Sequence, residues 1–285
     1  MQIDYDEERG ILKISQEKYI KKLLHKFNML NCHSVKVPID VCSDLTSEDQ
    51  SEEEFNLKPL CRSAIGCLLY AAMATRPDLA FVVSYLSRFQ DKGGRTLFQS
   101  IKKVFRYLSG TSNLCLHYER VKEEKLSLHG YSDADWGNDP IDRRSTCGYL
   151  FYVCNSLVSW GSKKQAAIAL SSTEAEYYAL SLAASEGQFL LKILNDFNSE
   201  VSRFTIFEDN LSTIKIAQSP DQRRLKHIDI RYHYIKDLVK NQVVNLEYVS
   251  TADQFADLLT KPLNSTKFSR LRRNLCLKEA VESQT

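Results

Sequence analysis

Asp133 in the run YSDADW, Glu176 in SSTEAEYYAL, Asp209 in FEDN and Asp257 in ADQFADLLTK are the residues of this chain best placed to do chemistry. Each falls where the hydrophobic pattern ends a strand or starts a helix, and such positions gather distant carboxylates at one rim of a sheet. Carboxylates grouped without His or Cys suit hard divalent cations, Mg²⁺ or Mn²⁺. Two such ions roughly 4 Å apart are a device for in-line displacement at a phosphodiester.

The elements that would position these acids follow from periodicity. Residues 2–5 and 11–14 alternate apolar and polar around Glu7-Glu8-Arg9-Gly10, which predicts a hairpin. Ser15 then caps a basic amphipathic helix over 16–28. Residues 33–56 are polar, and the acid-rich stretch Asp44 to Glu54 reads as a mobile linker. Helices are expected over Pro59 to Thr75, with Pro59 in the first turn, Pro77 to Phe89 and Thr96 to Leu108, with a short strand from Leu114 to Tyr118. The charged residues 119–125 mark the domain boundary. Beyond it come strands at Leu126 to Asp133, Thr146 to Cys154 and Leu157 to Trp160, then a long helix from Ser172 to Phe197. A strand at Phe204 to Glu208, helices at 211–218 and 228–240, a strand at Val243 to Val249 and a short helix from Ala252 to Thr260 complete the pattern. This order implies an α/β layer on a mixed sheet.

Composition bounds the partners. The 285 residues suggest two domains, and 43% apolar residues suffice for a core in each. The net charge of +2 means that any nucleic-acid surface must be local. The eight cysteines include no C-x-x-C pair and read as reduced, packed thiols of an intracellular protein, cytoplasmic or nuclear. The N-terminus has no signal-peptide pattern, and no apolar run is long enough to span a membrane.

The runs YSDADW, RRSTCGYLFY, VSWGSKKQ, LSSTEAEYYAL, EDN, KHIDIRYHYI and ADQFADLLTKPL, in this order and spacing, resemble the ribonuclease H region of copia-type retrotransposon Pol polyproteins. Upstream, ILKISQEKYIKKLL, RSAIGCLLYAAMATRPDLAF and VFRYLSGT resemble the stretch between that family's polymerase palm and its ribonuclease H. The resemblance implies a reverse-transcriptase thumb and connection region over residues 1–120 and a ribonuclease H-like domain over 121–262 with a mixed five-stranded sheet flanked by helices; residues 263–285 read as a basic tail, whose run from Lys267 to Arg273 fits a short packed amphipathic helix better than a nucleic-acid contact. With no Tyr-x-Asp-Asp motif, the chain is expected to be the C-terminal part of a Pol polyprotein that does not polymerise DNA by itself. One departure is Leu97-Phe98, where the family usually has His-Trp.

By this resemblance Asp133, Glu176, Asp209 and Asp257 are the catalytic and metal-binding acids for hydrolysis of the RNA strand of an RNA–DNA hybrid, with two Mg²⁺ ions, or Mn²⁺. Residue-level physics bears on each. Strand alternation puts Asp133 and Asp135 on one face and leaves the choice between them open. The long helix carries an apolar stripe of Ala175, Ala179, Leu182, Ala183, Leu190, Ile193 and Phe197. Glu176 lies about 70° from its centre and Glu174 about 130°. Glu174 also completes a capping box with Ser171, so Glu176 is the residue left for chemistry. Asp209 doubles as a helix-capping candidate, with Glu208 as bystander. Thr251-x-x-Gln254 reads as another capping box with Asp253 in the first turn, which gives Asp253 a structural reason; Asp257 has none and by the resemblance is the fourth acid, with Asp253 as the alternative.

Candidates to contact nucleic acid are Arg143, Arg144, Lys163, Lys164, Gln165, Asn210, Lys226 and Arg231, through backbone and groove shape rather than base identity. Upstream, Lys18, Lys21, Lys22, Lys102, Lys103 and Arg106 could grip primer–template. For each, solvated surface charge is the plain alternative. Trp160 reads as packing more than as a base-stacking platform. A catalytically silent nucleic-acid-binding remnant of a transposable element is the competing function. A carboxylate-pair polysaccharide hydrolase fits the acids but not the motifs around them.

Overall fold

The computed structural model describes residues 1–41, 45, 52–91, 94–120, 126–197, 200–219 and 229–280. The chain forms two units, Met1–Arg120 with Pro262–Thr285, and Val121–Lys261.

The first unit opens with the hairpin β1 (Gln2–Asp6) and β2 (Ile11–Ser15), turned by Gly10 at φ 64°. Helix α1 (Glu17–Lys26) buries Ile20, Leu23 and Leu24, and Ser15 Oγ accepts from Glu17 N at 3.1 Å. Helix α2 runs from Glu52 to Ala74. It begins before Pro59, which is carried inside at the loss of one bond, and takes in the last three positions of the expected linker, most of which lies outside the described residues. A 3-10 turn at Pro77–Leu79 leads into α3 (Ala80–Ser87), and α4 (Arg95–Ser109) buries Leu97, Ile101, Val104, Phe105 and Leu108. Strand β3 (Leu114–Glu119) pairs antiparallel with β2.

The second unit holds β4 (Leu128–Asp135), β5 (Thr146–Val153), β6 (Ser156–Lys164), helix α5 (Ser172–Asp196), β7 (Phe204–Glu208), α6 (Leu211–Gln218), α7 (Asp229–Lys240) and β8 (Val244–Tyr248). The sheet order is β6-β5-β4-β7-β8. The first three strands are antiparallel, while β4, β7 and β8 run parallel. This is the expected mixed five-stranded sheet, a ribonuclease H-like topology. Strand β6 extends to Lys164 instead of stopping at Trp160, because its ladder with β5 continues to the pair Thr146↔Lys164. Trp160 is half-buried on that edge strand.

Small residues let α5 approach the sheet. Ala175 and Ala179 pack with Ala134 of β4 and Cys147 of β5, while Leu180, Ala183 and Ala184 join Phe151, Phe204 and Ile206. A side chain at Gly187 would collide with the Phe204 ring. Phe197, counted in the apolar stripe, is 81% exposed because the helix ends at Asp196. None of the described cysteines forms a disulfide, and no described helix is long and apolar enough to cross a membrane.

Residues 263–285 were expected as a separate tail, but α8 (Ser265–Arg272) and β9 (Leu277–Glu279) belong to the first unit. Phe268 and Leu271 are buried, and β9 completes the order β1-β2-β3-β9. Arg272 Nη1 donates to Tyr107 Oη at 2.8 Å. That hydroxyl in turn donates to Asp78 Oδ2 at 2.6 Å. Asp78 forms a bidentate pair with Arg76, at 2.9 and 2.7 Å, and both side chains are fully buried. Arg76 also donates to Thr111 O and Oγ1, at 2.9 and 2.8 Å. The run TRPDLAF is thus the hub of this unit's core. Its upstream lysines are partly engaged within the chain: Lys21 pairs with Glu17 at 2.6 Å, Lys103 with Asp40, and Lys102 lies over the Phe98 ring. Arg106 Nε donates to His33 O at 2.7 Å.

Candidate metal centre

The ladder sets the site. Tyr131 of β4 pairs with Phe207 of β7 in parallel register, so two residues further on Asp133 and Asp209 reach the same rim. Asp133 sits opposite Gly148 on β5. A Cβ at Gly148 would stand 2.8 Å from Leu259 Cβ and from Thr260 Cγ2. The bare glycine therefore admits the 3-10 helix Phe255–Leu259 against β5 and brings Asp257, Thr260 and Lys261 to Asp133. That segment is anchored by Gln254, whose Nε2 donates to Ser132 O at 2.8 Å and whose Oε1 caps Ala256 N. Asp253 lies outside the helix, against Ser250 Oγ at 2.8 Å, rather than in its first turn.

Ser171 Oγ caps α5 by accepting from Glu174 N at 3.1 Å, and the Glu174 carboxylate accepts from Leu170 N at 2.7 Å. Glu176, in the next position on the inner side, is buried at 7% exposure and meets the strand-end acids. Ligand atoms of Asp133, Glu176 and Asp209 lie within 4.8 Å of one another, the group among the described residues with metal-ligating spacing. Asp135 is separate from it, and its carboxylate accepts from Thr146 N.

Asp257 adjoins this group across a lysine. Lys261 Nζ stands 2.5 Å from Asp257 Oδ1 and 3.5 Å from Asp133 Oδ2. The Thr260 hydroxyl donates to the same Asp133 oxygen. Burial opposes the lysine's charge, yet Asp133 and Asp257 outweigh it and hold its pKa above the usual value. Burial, and behind it Asp257 and Asp209, push Asp133 up to about 7 despite Lys261 and Thr260. Burial followed by Glu208, Asp133 and Asp209 raises Glu176 well above the carboxylate range. Glu208 is raised in the same way, by burial and then by Asp133 and Asp209. Ionising all of these acids would place surplus negative charge in a water-poor place, the setting in which a divalent cation is favoured.

Sequence reasoning took Glu208 for a bystander and passed over Thr260 and Lys261. Alternation held the first signal, since Glu208 shares the inward face of β7 with Phe204 and Ile206. The spacing from Asp257 to Lys261 was the second.

Of the nucleic-acid candidates, Arg143, Lys163 and Arg231 are exposed, with the Arg231 guanidinium 3.8 Å over the Tyr178 ring. Three others have structural employment. Gln165 is 2% exposed, and its Nε2 donates to Ala175 O at 2.9 Å, so it locks β6 to α5 instead of facing a ligand. Asn210 Oδ1 caps α6 at Ser212 N and Thr213 N. Lys164 is held by Asp139 at 2.7 Å and Asp142 at 2.8 Å. Arg144 Nε lies 3.5 Å from Asp142. Lys226 lies outside the described residues.

Asp139 yields a stability prediction. Burial works to raise its pKa, but Lys164 and the Ile141 and Asp142 amides outweigh it and hold it at about 2. A folded value below the unfolded one contributes stability above pH 4 that is lost as pH falls toward 2. Asp139→Asn should therefore cost about 2 kcal/mol at pH 7 and roughly half that at pH 3, read from urea melts at both pH values.

The second unit is therefore a ribonuclease H-like domain with a carboxylate cluster at the rim of its sheet. The chain is 37% identical over 262 residues to the retrovirus-related Pol polyprotein from transposon TNT 1-94 of Nicotiana tabacum, covering 90% of this chain and 20% of that protein. It is 38% identical over 259 residues to the Pol polyprotein from transposon RE1 of Arabidopsis thaliana, covering 90% and 17%. Among solved structures, the ribonuclease H1 of Halobacterium salinarum aligns with a TM-score of 0.33 at 16% identity, over 47% of this chain and 94% of that one. The chain matches no protein-family model. Over most of its length it is similar to retrovirus-related Pol polyproteins of transposons, and it spans about a fifth of the length of these two relatives.

Proposed function

We propose that the second unit hydrolyses the RNA strand of RNA–DNA hybrids with the help of Mg²⁺, or Mn²⁺, as one part of a transposon Pol polyprotein. The convergence of Asp133, Glu176 and Asp209 at the rim of a ribonuclease H-like sheet carries this reading. The donor set suits such an ion: it is all carboxylate, and Glu176 Oε2 is buried without a hydrogen-bond partner. When bound, a divalent ion supplies a water activated at neutral pH and charge stabilisation for the leaving oxygen.

The chain's own residues do the rest. Asp133, Glu176 and Asp209 hold the cation, Glu208 lies behind Glu176, and Thr260 fixes one oxygen of Asp133. Arg143, Lys163 and Arg231 are exposed cations for the backbone of the hybrid, whose recognition rests on phosphate and 2′-hydroxyl contacts. The test incubates the purified chain with an end-labelled hybrid in Mg²⁺, in Mn²⁺ and in chelator, with duplex DNA and duplex RNA as controls. Cleavage confined to the RNA strand of the hybrid and abolished by chelator is expected. An intact hybrid in the presence of bound metal would overturn the reading.

A further inference from the structure

We propose that Lys261 is the built-in counter-cation of this centre: its ammonium fills the seat between Asp133 and Asp257, so the resting chain takes one divalent ion, held by Asp133, Glu176 and Asp209. The inference rests on the metal-centre reading above and assigns the fourth acid a different partner from the other three.

The geometry is specific. Lys261 Nζ is 2.5 Å from Asp257 Oδ1 and 3.5 Å from Asp133 Oδ2, ion pairs that tie the ammonium to these two carboxylates. The two carboxylates that flank the ammonium are 0% and 2% exposed, so water does little to neutralise them. Two buried acids at one wall need a positive charge, and the chain supplies one four residues after Asp257. The lysine is set there by the backbone: Gly148 admits the 3-10 helix, and Thr260 ties the following turn to Asp133. A divalent ion in the same seat would meet the ammonium at close range, and like charges so placed exclude one another. Occupation by Lys261 and by a second ion are therefore alternatives.

The experiment counts Mn²⁺ bound to the full chain by calorimetry and by spin resonance of the free ion. The wild type should bind one ion. Lys261→Met should bind two, or bind its first about tenfold more tightly, as expected on removing a neighbouring positive charge. Lys261→Arg, which keeps the charge, should stay at one. In chelator Lys261→Met should melt lower than the wild type, and Mn²⁺ should raise its Tm by more. Should that variant fail to fold without metal, the double variant Asp257→Asn, Lys261→Met removes both charges; it should fold and bind one ion. Two ions on the wild type or on the double variant, or one ion with unchanged affinity on Lys261→Met, would overturn the role of Lys261 and leave the metal centre standing. Absence of any bound Mn²⁺ in every variant would overturn the centre itself and the lysine's role with it.

Discussion

Asp133→Asn should lower hybrid cleavage by roughly 10³-fold or more, which is about 4 kcal/mol of transition-state stabilisation, and should do so without weakening the metal-free fold. The two halves have one cause. Asp133 is shared by the converging acids and the Lys261 contact, so losing its charge removes one carboxylate from the position where the proposed cation would sit. In the metal-free protein the same charge is a burden. Its folded pKa of about 7 lies above the ordinary 3.8, so its contribution to stability is fully present below pH 4 and is lost as pH rises through 7. In chelator at pH 8, Asp133→Asn should thus melt at or above the wild-type temperature. A variant that cleaves at the wild-type rate in Mg²⁺ would remove Asp133 from the mechanism. One that melts far lower in chelator would show that the charge is structural instead.

Arg76→Met should destabilise the first unit by about 3–5 kcal/mol, the cost of leaving a buried carboxylate without its cation. Asp78 is buried at 2% exposure, and burial alone would raise its pKa; the Arg76 guanidinium overcomes this and holds it below the usual range. Met fills the volume but returns no charge; Thr111 Oγ1 loses the Arg76 donor, and Thr111 O keeps Leu114 N but loses Arg76 Nη1. Tyr107 would remain as a single hydrogen-bond donor to Asp78. Urea unfolding followed by circular dichroism reads the loss. The double variant Arg76→Met, Asp78→Leu should recover most of it, since replacing both partners with apolar groups leaves no buried charge. If the single variant unfolds at the wild-type urea midpoint, the pair contributes no net stability.

Much of the architecture was legible because it depends on local pattern. The five strands of the second unit, their order along the chain and the long helix follow from periods of two and 3.6 residues. Helix phase and the capping box separated Glu174, which caps, from Glu176, which faces the strand-end acids. The boundary of α2 was misjudged because Pro59 suits the first turn of a helix, whereas here it lies inside one that starts earlier. In residues 263–285 the short amphipathic helix was legible and is α8, but β9 was not, because so short a segment finds its partner only in three dimensions: it has three residues and gains its identity from β3.

By itself the sequence determined which side chains each element can present, since the direction of a side chain along a helix or strand is a matter of covalent geometry. Only the tertiary structure decided which of them meet. It turned Gln165 inward to the α5 backbone, spent Asn210 on a cap and Lys164 on Asp139, and set Lys261 between Asp133 and Asp257. The physical reason is that a charge is defined by its neighbours within a few ångströms, and at the acid cluster those neighbours, such as Thr260 against Asp133, lie 127 residues away in sequence and meet where Gly148 leaves room for them.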